Sequence, residues 1–268
     1  MTCIAHNYKS FLFDLDGVIY LGDSVIPGTK ETIEILRMLN KNIRFLTNNP
    51  LGTTLDFVNK LNNLGIVVFD DEVFSVGKAT ASFLVSEGFQ NKPIYVIGSK
   101  GLKSELQSQG ICIVGDLKHL DATAVVASVH YDFSYRELTL ATQVLDQCGL
   151  LYGTNRDAVR PTLNGKMPGS GSILAAIETA SGIEAQIIGK PALPFMHAVI
   201  RSLPTSSSTP VIIIGGRLDT DIQAGVSAQI DTALVLTGVS TLSDVKASDL
   251  QPNFIIPSIA SLIHPRNN

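Results

Sequence analysis

Three cysteines in 268 residues exclude more than they offer. Cys3, Cys112 and Cys148 are odd in number and far apart, so neither a disulfide framework nor a zinc site is written in their spacing. Cys112, inside the apolar run ICIV, is expected to be a small core residue. Charge is scarce as well: 16% of residues are charged and the net charge is -4, with a pI near 5.7. There is no basic run and no interleaving of aromatic with basic residues. That balance gives no electrostatic reason to expect nucleic acid or an anionic membrane as a partner. No apolar stretch is long enough to span a bilayer. The opening MTCIAHNYKS lacks the basic and then apolar pattern of a secretory signal, so the cytoplasm is the expected location. No internal repeat is visible, and the one low-complexity segment, PTSSSTP at 204–210, is expected to be a surface loop.

What the chain does have is apolar content, 45% of residues, arranged in a regular alternation. SFLFDL, NIRFLTN, PIYVIG, TAVVASV, EAQIIGK, PVIIIGG and DTALVLTG are short apolar runs that end in polar or glycine positions. Continuous apolarity predicts strands buried on both faces, as in a parallel sheet. Between them lie helical patterns. PGTKETIEILRMLNK places Ile33, Leu36 and Leu39 at helical spacing. SYRELTLATQVLDQCG opens with a Ser134/Glu137 capping box and closes at Gly149, and GSILAAIETASG closes at Gly182. The alternation predicts an α/β fold.

Four of the apolar runs end in groups that carry chemistry. FLFDLDGVIY offers Asp14 and Asp16, two residues apart, with Gly17 permitting a sharp turn just beyond. A calcium loop is excluded there, because Val18 and Ile19 fall where such a loop needs oxygen ligands and glycine. IRFLTNN offers Thr47, Asn48 and Asn49. IIGKP offers Lys190, followed by a helix that Pro191 is placed to start. IIIGGRLDTD offers Asp219 and Asp221. Parallel strands would bring all four carboxyl ends to one edge of a sheet. Singly, each has a plain reading: a turn for the D-x-D-G, a helix cap for Thr47 to Asn49, a solvated lysine, and capping acids before DIQAGVSAQ. Their order and common placement favour a single site.

The set resembles the haloacid dehalogenase-like (HAD) phosphatase superfamily. DLDGVIY, FLTNN and GKP look like the branch that contains p-nitrophenylphosphatase-like, phosphoglycolate and pyridoxal phosphate phosphatases. The resemblance also takes in YGTNRD…PGSGSILAAIETASG and VLTGV. It implies a doubly wound, mostly parallel core, 1–79 and 186–268, with an α/β cap inserted at 80–185. It implies a magnesium-dependent hydrolase of a small phosphate monoester working through an aspartyl-phosphate. In that scheme Asp14 is the nucleophile and Asp16 the general acid and base. Thr47 and the Asn48 amide hold phosphoryl oxygens, and Lys190 offsets their crowding against Asp14. Mg²⁺ is bound by Asp14, the Asp16 carbonyl and Asp221. Asn155, Arg156 and Arg160 of the cap are candidates to contact a small phosphorylated metabolite. Pairing of caps would give a homodimer.

One position departs from the family. Where the branch usually has Gly-Asp, with the aspartate on the metal, this chain has Gly215-Gly216. The expectation is a site one carboxylate short, filled by water or by movement of Asp219 or Asp221, with impaired turnover. A phosphate-ligand-binding protein of the same fold is the alternative. A nucleotide-binding oxidoreductase is disfavoured because no G-x-G-x-x-G follows the first strand. A serine hydrolase is disfavoured because PGSGS does not match G-x-S-x-G. His130 and His197 are expected to be ordinary, partly buried residues.

Overall fold

The computed structural model describes residues 3–162, 165–204 and 210–264. Most of the PTSSSTP segment, residues 205–209, lies outside the described residues. The chain divides into two compact units. The first gathers Met1–Thr47, Phe57–Phe74 and Lys190–Asn268; the second gathers Asn48–Asp56 and Ser75–Gly189. Among the described residues, no helix is long and apolar enough to cross a membrane.

The first unit is built on a six-stranded sheet. Its spatial order is Phe254–Ile256, Asp231–Val235, Val211–Gly215, Ser10–Asp14, Asn42–Thr47 and Val73–Ser75. The pairings from Phe254–Ile256 across to Asn42–Thr47 are all parallel. Phe13 stands opposite both Ile214 and Phe45, so Asp14 and Gly215 emerge side by side at the same edge. The chain leaves the Ser10–Asp14 strand toward one side of the sheet and later returns on the other side at Val211. This reversal of strand order puts a switch point beside Asp14, where open α/β sheets leave a crevice for ligands.

The β-branched and aromatic runs form these strands because both of their faces are covered. Phe11, Phe13 and Phe45 are fully buried. The Phe11 and Phe13 rings stack at 6.2 Å, and Phe13 lies 6.1 Å from Phe45. Burying each such ring stabilises the fold by about 1.5–3 kcal/mol, which anchors the strand that ends in Asp14. The helix Thr29–Met38 buries Ile33 and Leu36, whereas Leu39 falls at its C-cap and is exposed.

The second unit has its own five-stranded parallel sheet. Its order is Gln186–Ile187, Leu151–Gly153, Val125–Ala127, Pro93–Ile97 and Cys112–Val114. The helix Tyr135–Cys148 carries the expected Ser134/Glu137 capping box and ends at Gly149, and the helix Ser170–Ser181 ends at Gly182. Leu145, Ile173, Leu174 and Ile177 pack these helices onto Ile97, Val125 and Ala127.

Cys112, His197 and Pro191 depart from the sequence expectation. Cys112 is exposed, because its strand is the sheet edge and it is the first residue of that strand. His197 is exposed on the helix Leu193–Arg201, which buries Phe195, Met196 and Val199 instead. That helix begins after Ala192 with Pro194 in its first turn, so Pro191 precedes it.

Candidate active site

The strand Ser10–Asp14 ends on Asp14, whose side chain is 14% exposed. Lys190 is almost fully buried, and its Nζ reaches two carboxylates at once. It donates to Asp14 Oδ1 at 2.7 Å and to Asp221 Oδ1 at 2.7 Å. The plain reading of Lys190 as a solvated lysine therefore fails, since a buried ammonium persists only when paired. Asp221 is buried as well, and its second oxygen accepts the backbone N–H groups of Gly216 at 3.0 Å and Arg217 at 3.1 Å. One acid thus clamps the turn after Val211–Gly215 and braces the lysine.

The same clamp explains Gly215. A Cβ there would lie 2.0 Å from Asp221 Cβ, so only glycine lets the carboxylate fold back over the strand end. Gly216 is packed too. A Cβ at 216 would come within 2.8 Å of the Gly238 Cα, while Val239 and Ser240 both donate to the Gly216 carbonyl at 2.9 Å. The position where the family has a carboxylate is closed over by the backbone of the VLTGV turn. Asp219 does not join the cluster. It is exposed and held by Arg217 through bonds of 3.0 and 2.7 Å.

Asp16 lies beyond the strand and is exposed. The turn that carries it is fixed from two sides. Gly17, at φ 80°, donates to the Tyr20 carbonyl at 2.8 Å, and its own carbonyl accepts from Thr237 Oγ1 at 2.8 Å. Tyr20 is buried beside these acids. Burial first, and then Asp16 and Asp14, push its hydroxyl far above the ordinary tyrosine range, so it stays protonated. Thr47 ends the neighbouring strand and is buried at the same edge of the sheet.

The charge balance is the chemical signature. Burial, and next the Asp221 charge, raise the Asp14 carboxyl to about 7 against the pull of Lys190. Burial alone would lower Lys190, but Asp14 and Asp221 reverse this and hold it above its usual value. Two buried carboxylates facing one ammonium favour a further cation. Among the described residues, no group of three or more His, Cys, Asp or Glu side chains forms a metal cage. Mg²⁺ does not require one, since it is commonly held by one or two carboxylates with retained waters and phosphate oxygens. Asp14, the Asp16 carbonyl and Asp221 fit that lean pattern.

In the second unit Asn155 is buried. Its Nδ2 donates to the Asn48 carbonyl at 2.9 Å, and its Oδ1 accepts from the Asp157 N–H at 3.1 Å. Arg156 makes bonds of 3.0 and 2.8 Å to the two Glu178 oxygens, with Glu184 at 3.4 Å and the Ala185 carbonyl at 3.3 Å. Arg160 lies in the strand Val159–Thr162, opposite Met167 of Gly165–Pro168. Sequence reasoning gave no role to Gly215, Tyr20, Thr237 or Gly238. VLTGV was the visible signal for the last two, and it said nothing of what they touch.

A family model described as haloacid dehalogenase-like hydrolase matches residues 11–112, and a HAD-hydrolase-like model matches residues 187–262. The chain is 35% identical to the human glycerol-3-phosphate phosphatase, covering 96% of this chain and 90% of that protein. It is 32% identical to an acid sugar phosphatase of Staphylococcus saprophyticus, covering 96% and 97%. The crystal structure of a Mycobacterium tuberculosis glycerol phosphate phosphatase in complex with magnesium superposes with a TM-score of 0.89. That likeness is at 27% identity and covers 98% of this chain and 78% of the other.

Proposed function

The chain belongs to the haloacid dehalogenase-like hydrolase family, and from that membership we propose that it is a magnesium-dependent phosphatase working through an aspartyl-phosphate. Its substrates are small phosphate monoesters, the class named in its glycerol phosphate and acid sugar phosphatase relatives. The observation that carries the reading is Lys190, buried at 2.7 Å from both Asp14 and Asp221 at the switch point of the sheet.

In this reading an Asp14 oxygen attacks phosphorus while the bond to the ester oxygen breaks, and Asp16 gives that oxygen its proton. Water then attacks the same phosphorus, Asp16 takes up the proton, and Asp14 is released with inorganic phosphate. Thr47 and the Asn48 amide hold the phosphoryl oxygens, and Lys190 offsets the charge drawn together around Asp14. Asp14, the Asp16 carbonyl and Asp221 would hold magnesium, which when bound would supply positive charge to the phosphoryl oxygens. Phosphoryl transfer depends on such positioning and neutralisation more than on covalent chemistry from the protein. Residues 80–185 serve as the cap, with Arg160 reading the leaving group. Pairing of two copies through that cap completes the reading, and sedimentation of the purified protein checks it.

The second reading, a phosphate-ligand-binding protein with little turnover, is favoured by one observation: Gly216 brings no carboxylate, and Asp219 is turned to Arg217. Release of inorganic phosphate from glycerol phosphate, a sugar phosphate and an aryl phosphate, measured against Mg²⁺ concentration, separates the two. Magnesium-dependent turnover supports the enzyme. Calorimetric binding of inorganic phosphate with no turnover on any ester supports the binder.

A further inference from the structure

Asn155 follows the strand Leu151–Gly153 and is only 2% exposed. A buried carboxamide must satisfy both its donor and its acceptor end. The acceptor end is local, taking the Asp157 N–H at 3.1 Å. The donor end reaches a residue 107 positions away, the Asn48 carbonyl, at 2.9 Å. Asn48 directly follows Thr47, and the segment Asn48–Asp56 belongs to the same compact unit as Asn155.

The rest of that segment is gripped in the same way. Ser99 Oγ donates to the Pro50 carbonyl at 2.6 Å while it caps the helix Lys100–Ser108. The Thr54 N–H donates to Glu105 Oε1. Gly101 approaches so closely that a Cβ there would lie 2.6 Å from the Leu51 carbonyl oxygen. Gly189 leaves room for the Asn48 side chain, where a Cβ would come within 2.8 Å of Oδ1. The backbone is thereby held at Asn48, Pro50 and Thr54.

We infer that Asn155 is a positioning residue for the phosphate-binding loop and not a contact to the leaving group; the inference rests on the phosphatase reading above. The peptide group is planar. Fixing the Asn48 carbonyl therefore fixes the plane it shares with the Asn49 N–H, and turning that plane would break a buried hydrogen bond. The Asn48–Asn49 peptide is preset before substrate arrives, and it holds in place the residue whose amide is assigned to the phosphoryl oxygens, so less reorganisation is needed as charge develops on the phosphoryl group. The phosphoryl group is common to every ester, so the contribution of Asn155 is the same for all of them.

Asn155→Asp separates the two ends of the side chain. It keeps an oxygen for the Asp157 N–H and turns the donor facing Asn48 into an acceptor. The expected result is a folded protein whose dissociation constant for inorganic phosphate, read by calorimetry, rises about tenfold. kcat/KM falls by a similar factor on glycerol phosphate, a sugar phosphate and an aryl phosphate alike. Asn155→Ala, which removes both ends, gives the same loss of phosphate binding. Losses that differ from ester to ester, or a folded Asn155→Asp with unchanged phosphate binding, overturn the inference. Failure of both variants to fold overturns it too, since the role is then structural. A wild-type protein that neither binds phosphate nor hydrolyses any ester instead overturns the phosphatase reading, and does so before any variant is made.

Discussion

Lys190 is the residue on which the electrostatics turn. Its ammonium is the partner that Asp14 and Asp221 share at 2.7 Å each, and removing one member of a buried ionic group leaves the others uncompensated. Lys190→Met is expected to destabilise the protein by about 3–5 kcal/mol, the scale of such a loss. Adding Asp221→Asn to it removes one of the stranded charges and restores part of that stability without restoring activity. Thermal melts of the wild type, the single variant and the double variant in metal-free buffer check this. A single variant as stable as the wild type would mean that the lysine is not paired as described. Gly215 is a glycine because the Asp221 side chain occupies the space a Cβ would need.

At the scale of elements, the turn after Val211–Gly215 and the VLTGV turn are packed backbone to backbone, and this frames the missing carboxylate. Gly216→Asp adds a charged ligand beside Asp14 and also presses a Cβ to 2.8 Å from the Gly238 Cα. The expected outcome has two parts: Mg²⁺ binding tightened by about tenfold or more, and a melting temperature lowered by the crowding of Gly238. Calorimetric titration with Mg²⁺, alongside melts, measures both. An unchanged magnesium affinity in a folded variant would mean that water or another group already supplies the ligand.

Arg156 and Glu178 tie the helix Ser170–Ser181 to the segment that follows Leu151–Gly153. The Arg156 hydrogen bonds, opposed by partial burial and aided by the Ala185 N–H, hold the Glu178 carboxyl below its ordinary value of 4.5. A depressed carboxyl stabilises the fold above its unfolded pKa, and that contribution is lost as pH falls through the folded value. Arg156→Ala should therefore cost about 1 kcal/mol or less near pH 7, the scale of an exposed pair. The difference from wild type should shrink as pH falls below 4.5 and through the lowered value of wild-type Glu178, where the carboxyl becomes protonated in both proteins. Melts across that range check it, and a difference independent of pH would remove the ion pair as its cause.

What the sequence made legible follows from the same elements. Six of the seven apolar runs are strands because burial on both faces forces continuous apolarity, the seventh, Gln186–Ile187, is a short and partly exposed edge strand, and the capping box at Ser134 and Glu137 is a purely local pattern. Cys112 and His197 misled because exposure depends on which strand is the edge and which helix face is covered, neither of which is local. The site was visible as four polar strand ends, but they do not share one sheet: the strand before Lys190, Gln186–Ile187, pairs with Leu151–Gly153 in the second unit's sheet. The pairing of Asp221 with Lys190, 31 positions apart, and the closing of Gly238 over Gly216 were not visible. Both depend on how distant turns fold back, and a glycine required by close approach looks in sequence like any other. Asn155 was visible as a candidate substrate contact in the cap, but its partner, 107 positions away, was not.

For the whole molecule, the residues proposed for the site are drawn from both compact units. The first unit, assembled from three stretches of chain, carries Asp14, Asp16, Thr47, Lys190 and Asp221 at the carboxyl edge of one parallel sheet. The second, with its own parallel sheet, carries Asn48, Asn155 and Arg160, and Arg160 is the residue we propose to read the leaving group. The central claim is that Asp14 attacks phosphorus. Its most direct test is release of inorganic phosphate by wild type and Asp14→Asn at saturating ester and Mg²⁺, with calorimetric phosphate binding measured on both. The expected result is turnover by the wild type and a loss of at least about a thousandfold in the variant, while the variant stays folded and still binds phosphate. Turnover by Asp14→Asn equal to that of the wild type would contradict the claim and place the nucleophile elsewhere.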